Sequence, residues 1–197
     1  YLSSDGVLGG DTSKLNNIIK SPTTCGFGAG SYFPMSSSVP EQSGDQTIDD
    51  AYSLCFDHDH VKSSIDIVGR PKIKLTLKSD NKHGHLCVRL CDVSPDRLST
   101  RITYGLLNLT HRSSHENPTP IPVNEEFSIE LELDQIAYRL LPGNKLRISL
   151  SNAYWPLVWP VAEKATLTLI KGELLLPVRP ESKGPEYIFP KPECASP

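Results

Sequence analysis

No run of about 18 apolar residues occurs in the 197-residue chain, so no helix is expected to span a membrane. There is no basic excess. Lys and Arg number 20 against 23 Asp and Glu, and the net charge is −3. A nucleic-acid partner would call for a basic patch, and none is present. The first residues are polar and glycine-rich, unlike a secretory leader. Methionine occurs once, at Met35, and the chain opens on Tyr1, so a fragment of a longer protein is expected. Cysteine is sparse and odd in number: Cys25, Cys55, Cys87, Cys91 and Cys194. Cys87 and Cys91 on one strand would stand about 13 Å apart, too far for a disulfide. Unpaired thiols are expected, as in a reducing cytoplasmic setting.

Amphipathic helical periodicity is also missing; alternation takes its place. In HLCVRLC (His85 to Cys91), Leu86, Val88 and Leu90 fall on one face of an extended strand. His85, Cys87, Arg89 and Cys91 fall on the other, which is expected to stay polar. KIKLTLK alternates strictly, with Ile73, Leu75 and Leu77 on one side. Phe127, Ile129, Leu131 and Leu133 repeat the pattern, as do Leu146, Ile148 and Leu150. Tyr52 to Phe56, Ile65 to Val68, Ile102 to Leu107, Ala165 to Ile170 and Glu173 to Leu176 complete eight or nine expected strands. Asp92 to Ser99 and Pro142-Gly143 read as turns. One apolar and one polar face per strand predict an all-β fold of antiparallel sheets in two layers, a sandwich or jelly roll.

The expected plan is a single domain over 1–197. Residues 1–44 form an irregular lead-in, 45–177 the sandwich and 178–197 a proline-rich arm. Tyr187, Ile188 and Phe189 favour wrapping of that arm over the sandwich. GFGAGSYFP and SSSVPEQSGDQ in the lead-in read as irregular chain. Asp45, Asp49 and Asp50 read as turn and capping residues; too few oxygen ligands recur for a calcium loop.

The chemistry of catalysis is thin. A serine hydrolase of the α/β class presents its nucleophile on a G-x-S-x-G elbow, and none occurs. Gly28-Ala29-Gly30-Ser31 has the wrong order. The histidines pair as His58/His60, His83/His85 and His111/His115, a spacing that zinc can use, but each lacks a third ligand nearby. No metal or other cofactor is expected. Asn108-Leu109-Thr110 fits a glycosylation sequon inside an expected strand, and is read as structural. Arg101, Arg112, Asp92 and Asp96 are expected to make ion pairs or turn hydrogen bonds. The most unusual cluster is Tyr154-Trp155-Pro156-Leu157-Val158-Trp159-Pro160. It holds both tryptophans of the chain and two prolines that stiffen it. Such a loop can stack on a sugar, line a pocket, anchor another domain or pack on its own sandwich.

Four stretches, DQTIDDAYSLCFD (Asp45 to Asp57), VRLCDVSPDRLSTRITYGLLNLTHRSSHE (Val88 to Glu116), LPGNKLRISLSNAYWPLVWP (Leu141 to Pro160) and LLLPVRP (Leu174 to Pro180), carry a resemblance. In this order they resemble the C-terminal domain of the X-prolyl dipeptidyl-peptidase and cocaine esterase family of serine hydrolases. Asp96-Arg97 departs from the Asp-Gly that relatives often carry. The resemblance implies a non-catalytic, galactose-binding-like jelly roll attached to an α/β-hydrolase domain that holds the triad. It implies no catalytic residue in this chain. Tyr154, Trp155 and Trp159, with the irregular segment before Tyr52, are the candidates for docking on that domain or binding a ligand. A carbohydrate-binding module is the alternative.

Overall fold

The computed structural model describes residues 1–9, 14–31, 42–180, 188 and 190. It contains ten strands: β1 (Asn17–Ile19), β2 (Leu54–Asp57), β3 (Ile65–Gly69), β4 (Lys72–Ser79), β5 (His85–Val93), β6 (Ser99–Asn108), β7 (Phe127–Glu132), β8 (Ile136–Leu140), β9 (Lys145–Ser151) and β10 (Leu167–Leu175). One short helix, α1 (Thr47–Ala51), and a single 3-10 turn at Leu109–His111 are the helical elements among the described residues. The strands form two four-stranded sheets, ordered β1-β10-β4-β7 and β2-β9-β5-β6, and a small β3-β8 pair. Every pairing between these strands is antiparallel. The all-β antiparallel sandwich expected from the alternation is what forms.

The alternating rows make the core. Ile73, Leu75 and Leu77 of β4, Phe127 and Ile129 of β7, and Leu167 and Leu169 of β10 come from one sheet. Phe56 of β2, Leu86, Val88 and Leu90 of β5, and Ile148 and Leu150 of β9 come from the other. Each such side chain, fully buried, contributes about 1.5–3 kcal/mol. The outer face of β4 and β7 carries Lys72, Lys74, Glu130 and Glu132, which pair across the strands in the solvent.

Several elements differ from the sequence reading. The lead-in is not devoid of strand: β1 pairs with β10, and Leu2, Leu8, Leu15 and Ile19 lie in the core. β1 is three residues long, too short for alternation to show. β8 is short as well and lies outside the expected strands. The two segments expected around Ala165 and Glu173 are one strand, β10, interrupted by a bulge between Leu169 and Lys171. α1 has no signature in the sequence, because five residues do not establish a 3.6-residue period. Asn108 ends β6, and its side chain caps the 3-10 turn by accepting from the Thr110 amide and hydroxyl.

The largest correction concerns β5. Its second face, expected to stay polar, is buried at Cys87, Arg89 and Cys91, and Arg89 is 0% exposed. A further layer covers it, as described below. The C-terminal arm starts by pairing with β3: Val68 donates to Pro177 and Arg179 donates to the carbonyl of Asp66. Of the three apolar residues expected to wrap, Ile188 is exposed; Tyr187 and Phe189 lie outside the described residues, as do Met35 and Cys194.

The turn after β5 gives a direct test of the departure at Asp96-Arg97. Arg97 has φ of 68°, in the left-handed region. Its side chain is exposed, and its amide donates to Ser94. This conformation costs a residue with a Cβ about 1–2 kcal/mol and spares glycine, though glycine loses more entropy on folding. Arg97→Gly is expected to stabilise the chain by about 0.5–1 kcal/mol. Urea unfolding with an unchanged slope is the measurement; a destabilised variant would contradict it.

Candidate functional site

The layer over β5 is a cap built from three separate segments: residues 21–31, residues 45–53 including α1, and the distant loop 152–160. Polar side chains tie them to the sheet. Asp50, buried in α1, accepts from Arg89 Nη2 of β5 (3.0 Å), Arg147 Nη1 of β9 (3.1 Å), Ser99 Oγ of β6 (2.6 Å) and Ser149 Oγ of β9 (2.7 Å). Arg147 also forms a two-pronged pair with Asp57 at 2.6 and 2.8 Å. Asp49, the preceding residue, accepts three amides of the first segment: Gly26 (2.6 Å), Phe27 (2.9 Å) and Gly28 (2.7 Å). Asp45 alone makes the turn expected of this acidic cluster, accepting from the amide and hydroxyl of Thr47.

Gln46, also buried, links the first two segments. Its amide nitrogen donates to the carbonyls of Gly28 and Gly44. Its amide oxygen accepts the Tyr154 hydroxyl at 2.7 Å. Arg101 donates to the same hydroxyl and to the Ala29 carbonyl, and its guanidinium lies 4.4 Å from the Tyr104 ring centre. The Trp155 amide donates to the Cys25 carbonyl at 2.7 Å. Gly26 has φ of 126°, and a Cβ there would sit 1.8 Å from the Trp155 carbonyl oxygen. Only glycine allows these two backbones to touch.

Tyr154 is therefore not a surface residue. It is fully buried in a small second core with Ala29 and Cys87, against which Leu157 and Val158 pack. Burial pushes its phenol above the usual range. The grouping of Tyr154 with the docking candidates is corrected on this point: the residue anchors the loop from below. Its two tryptophan neighbours do reach the surface. Trp155 is 41% and Trp159 76% exposed, and their rings meet edge to face 5.1 Å apart. Phe27 (65%) and Tyr52 (44%) are exposed on the other two segments, with ring centres 6.5 Å apart. The cap thus presents four aromatic rings on a backbone held by buried hydrogen bonds.

Cysteine chemistry is muted here. Cys25, Cys55, Cys87 and Cys91 are free thiols. Burial pushes the thiols of Cys87 and Cys91 up to about 12, so they stay protonated and weakly nucleophilic. Among the described residues, no group of three or more His, Cys, Asp and Glu side chains is arranged to hold a metal. Two more of the flanking residues, Arg112 and Asp92, make hydrogen bonds as expected. Arg112 donates to the carbonyls of Leu109, Thr119 and Pro120, and Asp92 accepts from Tyr138 and Asn144.

Sequence reasoning singled out the tryptophan loop and the region before Tyr52 as candidates, but not the residues that join them. Phe27 sits between two glycines in GFG, the one local sign of a close backbone approach. Nothing local marks Asp49, Asp50 or Arg89 as partners.

Several known proteins resemble this chain. Cocaine esterase of Rhodococcus sp. (strain MB1 Bresler) is 21% identical over 103 residues, which is 52% of this chain and 18% of that protein. Among solved structures, an alpha-amino acid ester hydrolase superposes with a TM-score of 0.71 at 17% identity, covering 83% of this chain and 32% of that one. An aminopeptidase from the marine sediment archaeon Thaumarchaeota archaeon gives 0.78 at 15% identity, covering 91% and 36%. The chain therefore spans only 18% of the curated relative and about a third of the solved ones. At these identities the superpositions establish the shared fold. The family described as the X-Pro dipeptidyl-peptidase C-terminal non-catalytic domain matches residues 1–196, and the chain belongs to that family.

Proposed function

We propose that this chain is one jelly-roll domain, residues 1–197, of a larger X-Pro dipeptidyl-peptidase- or acyl-esterase-like serine hydrolase. It docks through its aromatic cap on the α/β-hydrolase domain of the same parent chain and helps to shape the active-site entrance. The observation that carries this reading is the set of exposed rings, Phe27, Tyr52, Trp155 and Trp159, on one rigidly bonded cap. Exposed aromatic surface gains free energy when a partner covers it, and a preformed backbone lowers the entropy lost on binding. The parent would cleave its substrate through an acyl-enzyme, with nucleophile and base supplied by the neighbouring domain. The contribution of this domain is to exclude water and limit substrate size at the entrance.

The proposal places the protein in the cytoplasm, with no nucleic-acid or membrane partner. Among the described residues, no helix is long and apolar enough to cross a membrane. Calorimetry of the parent protein tests the docking. Docked domains unfold together, whereas Trp159→Ala, which removes the most exposed ring, is expected to cost about 2 kcal/mol or more of interdomain stability and separate the transitions. A single unchanged transition would reject the cap as the docking face. A specific glycan ligand of the chain, lost on Trp155→Ala, would favour the carbohydrate-binding alternative instead.

A further inference from the structure

Asp49 and Asp50 are consecutive and both buried, yet they serve different layers. Asp50 fastens α1 to the sheet, and Asp49 reaches the loop that bears Phe27. The three amides of Gly26, Phe27 and Gly28 converge on one carboxylate, which offers only acceptors. The loop can close this tightly because Gly28 also lacks a side chain: a Cβ there would lie 2.4 Å from the Asp45 carbonyl oxygen. The effect extends to the tryptophans, because the Cys25 carbonyl, one residue before Gly26, accepts the Trp155 amide.

We infer that Asp49 is the positioning residue of the docking surface. Its carboxylate sets the orientation of Phe27 directly, and that of Trp155 and Trp159 through Cys25. It is fully buried, so it does this without touching the partner. The inference deepens the docking proposal and rests on it. A neutral amide at this position cannot replace the carboxylate. An asparagine side chain would retain only one acceptor oxygen, and its NH2 group would face an amide donor of the loop.

Amide hydrogen exchange and tryptophan fluorescence of the 197-residue chain provide the test, with Asp49→Asn compared with wild type. Asp66→Asn, which removes an exposed pair with Arg139, is the control. Loss of charge-assisted bonds should raise exchange at Gly26 to Gly28 by about tenfold or more. Acrylamide quenching should increase in parallel, since both tryptophans lie in the cap. The control should change neither. Exchange at these amides unchanged from wild type would overturn the inference. Should Asp49→Asn fail to fold, Asp49→Glu keeps the charge but displaces it by one methylene, and is expected to raise exchange at the same three amides and not in β5. In the parent protein, Asp49→Asn should uncouple the unfolding transitions as Trp159→Ala does. Uncoupling by Trp159→Ala but not by Asp49→Asn removes the positioning role and leaves the docking reading standing. No uncoupling by Trp159→Ala removes the docking reading, whatever the exchange result.

Discussion

Asp50→Ala is expected to destabilise the chain by about 3–5 kcal/mol, a large share of the stability of an ordinary domain. The carboxylate is the common acceptor for Arg89, Arg147, Ser99 and Ser149. Removing it leaves the Arg89 guanidinium in the interior without its counter-ion, beside neutral groups such as the Ser53 hydroxyl and the face of the Tyr154 ring. A buried charge without its counter-ion costs more than the pair itself contributes, because the desolvation penalty is then uncompensated. Arg147 suffers less, since Asp57 still holds it. The double variant Asp50→Ala with Arg89→Met should therefore recover a substantial part of the loss. Denaturant unfolding of the two single variants and the double variant measures the coupling. A single-variant effect below about 1 kcal/mol would show that the ion pair is not buried as described.

Gly26→Ala is expected to be the second most damaging change, at about 3 kcal/mol, and to act on the cap alone. The added Cβ meets the Trp155 backbone, not a side chain that can rotate away, and φ at this position disfavours any residue with a Cβ. The contact can be relieved only by separating residues 25–28 from the tryptophan loop. That separation gives up the Cys25–Trp155 hydrogen bond and strains the Asp49 bonds. Tryptophan emission should shift to the red while the strand signal in circular dichroism is kept. Gly44→Ala serves as the comparison, because a Cβ there meets nothing within 4 Å. It should change stability by less than about 0.5 kcal/mol. Equal effects from the two substitutions would argue against the close approach.

The two aspartates and the glycine show where reading along the chain stops. Alternation over KIKLTLK and HLCVRLC identified the buried rows of β4 and β5, because strand side chains change face at every residue whatever the rest of the fold does. The tryptophan loop stood out by composition, and two of its three named candidates, Trp155 and Trp159, are exposed as a docking or ligand surface requires. Tyr154 looked equivalent because exposure is not written in residue type: a tyrosine whose hydroxyl finds Gln46 and Arg101 can be buried entirely.

What the amino-acid order determined by itself is the all-β architecture, the core-facing rows of β4, β5, β7 and β9 and the absence of a nucleophile elbow. Each of these depends on neighbours within a few residues. Only the tertiary structure decided that the second face of β5 is also buried, that Arg89 is neutralised there, and that Phe27, Tyr52 and the tryptophans share one cap. Those outcomes depend on Asp50 meeting Arg89 across 39 residues and Ser149 across 99. Charge pairing and backbone approach act through space, and no local pattern records which distant segments they will join.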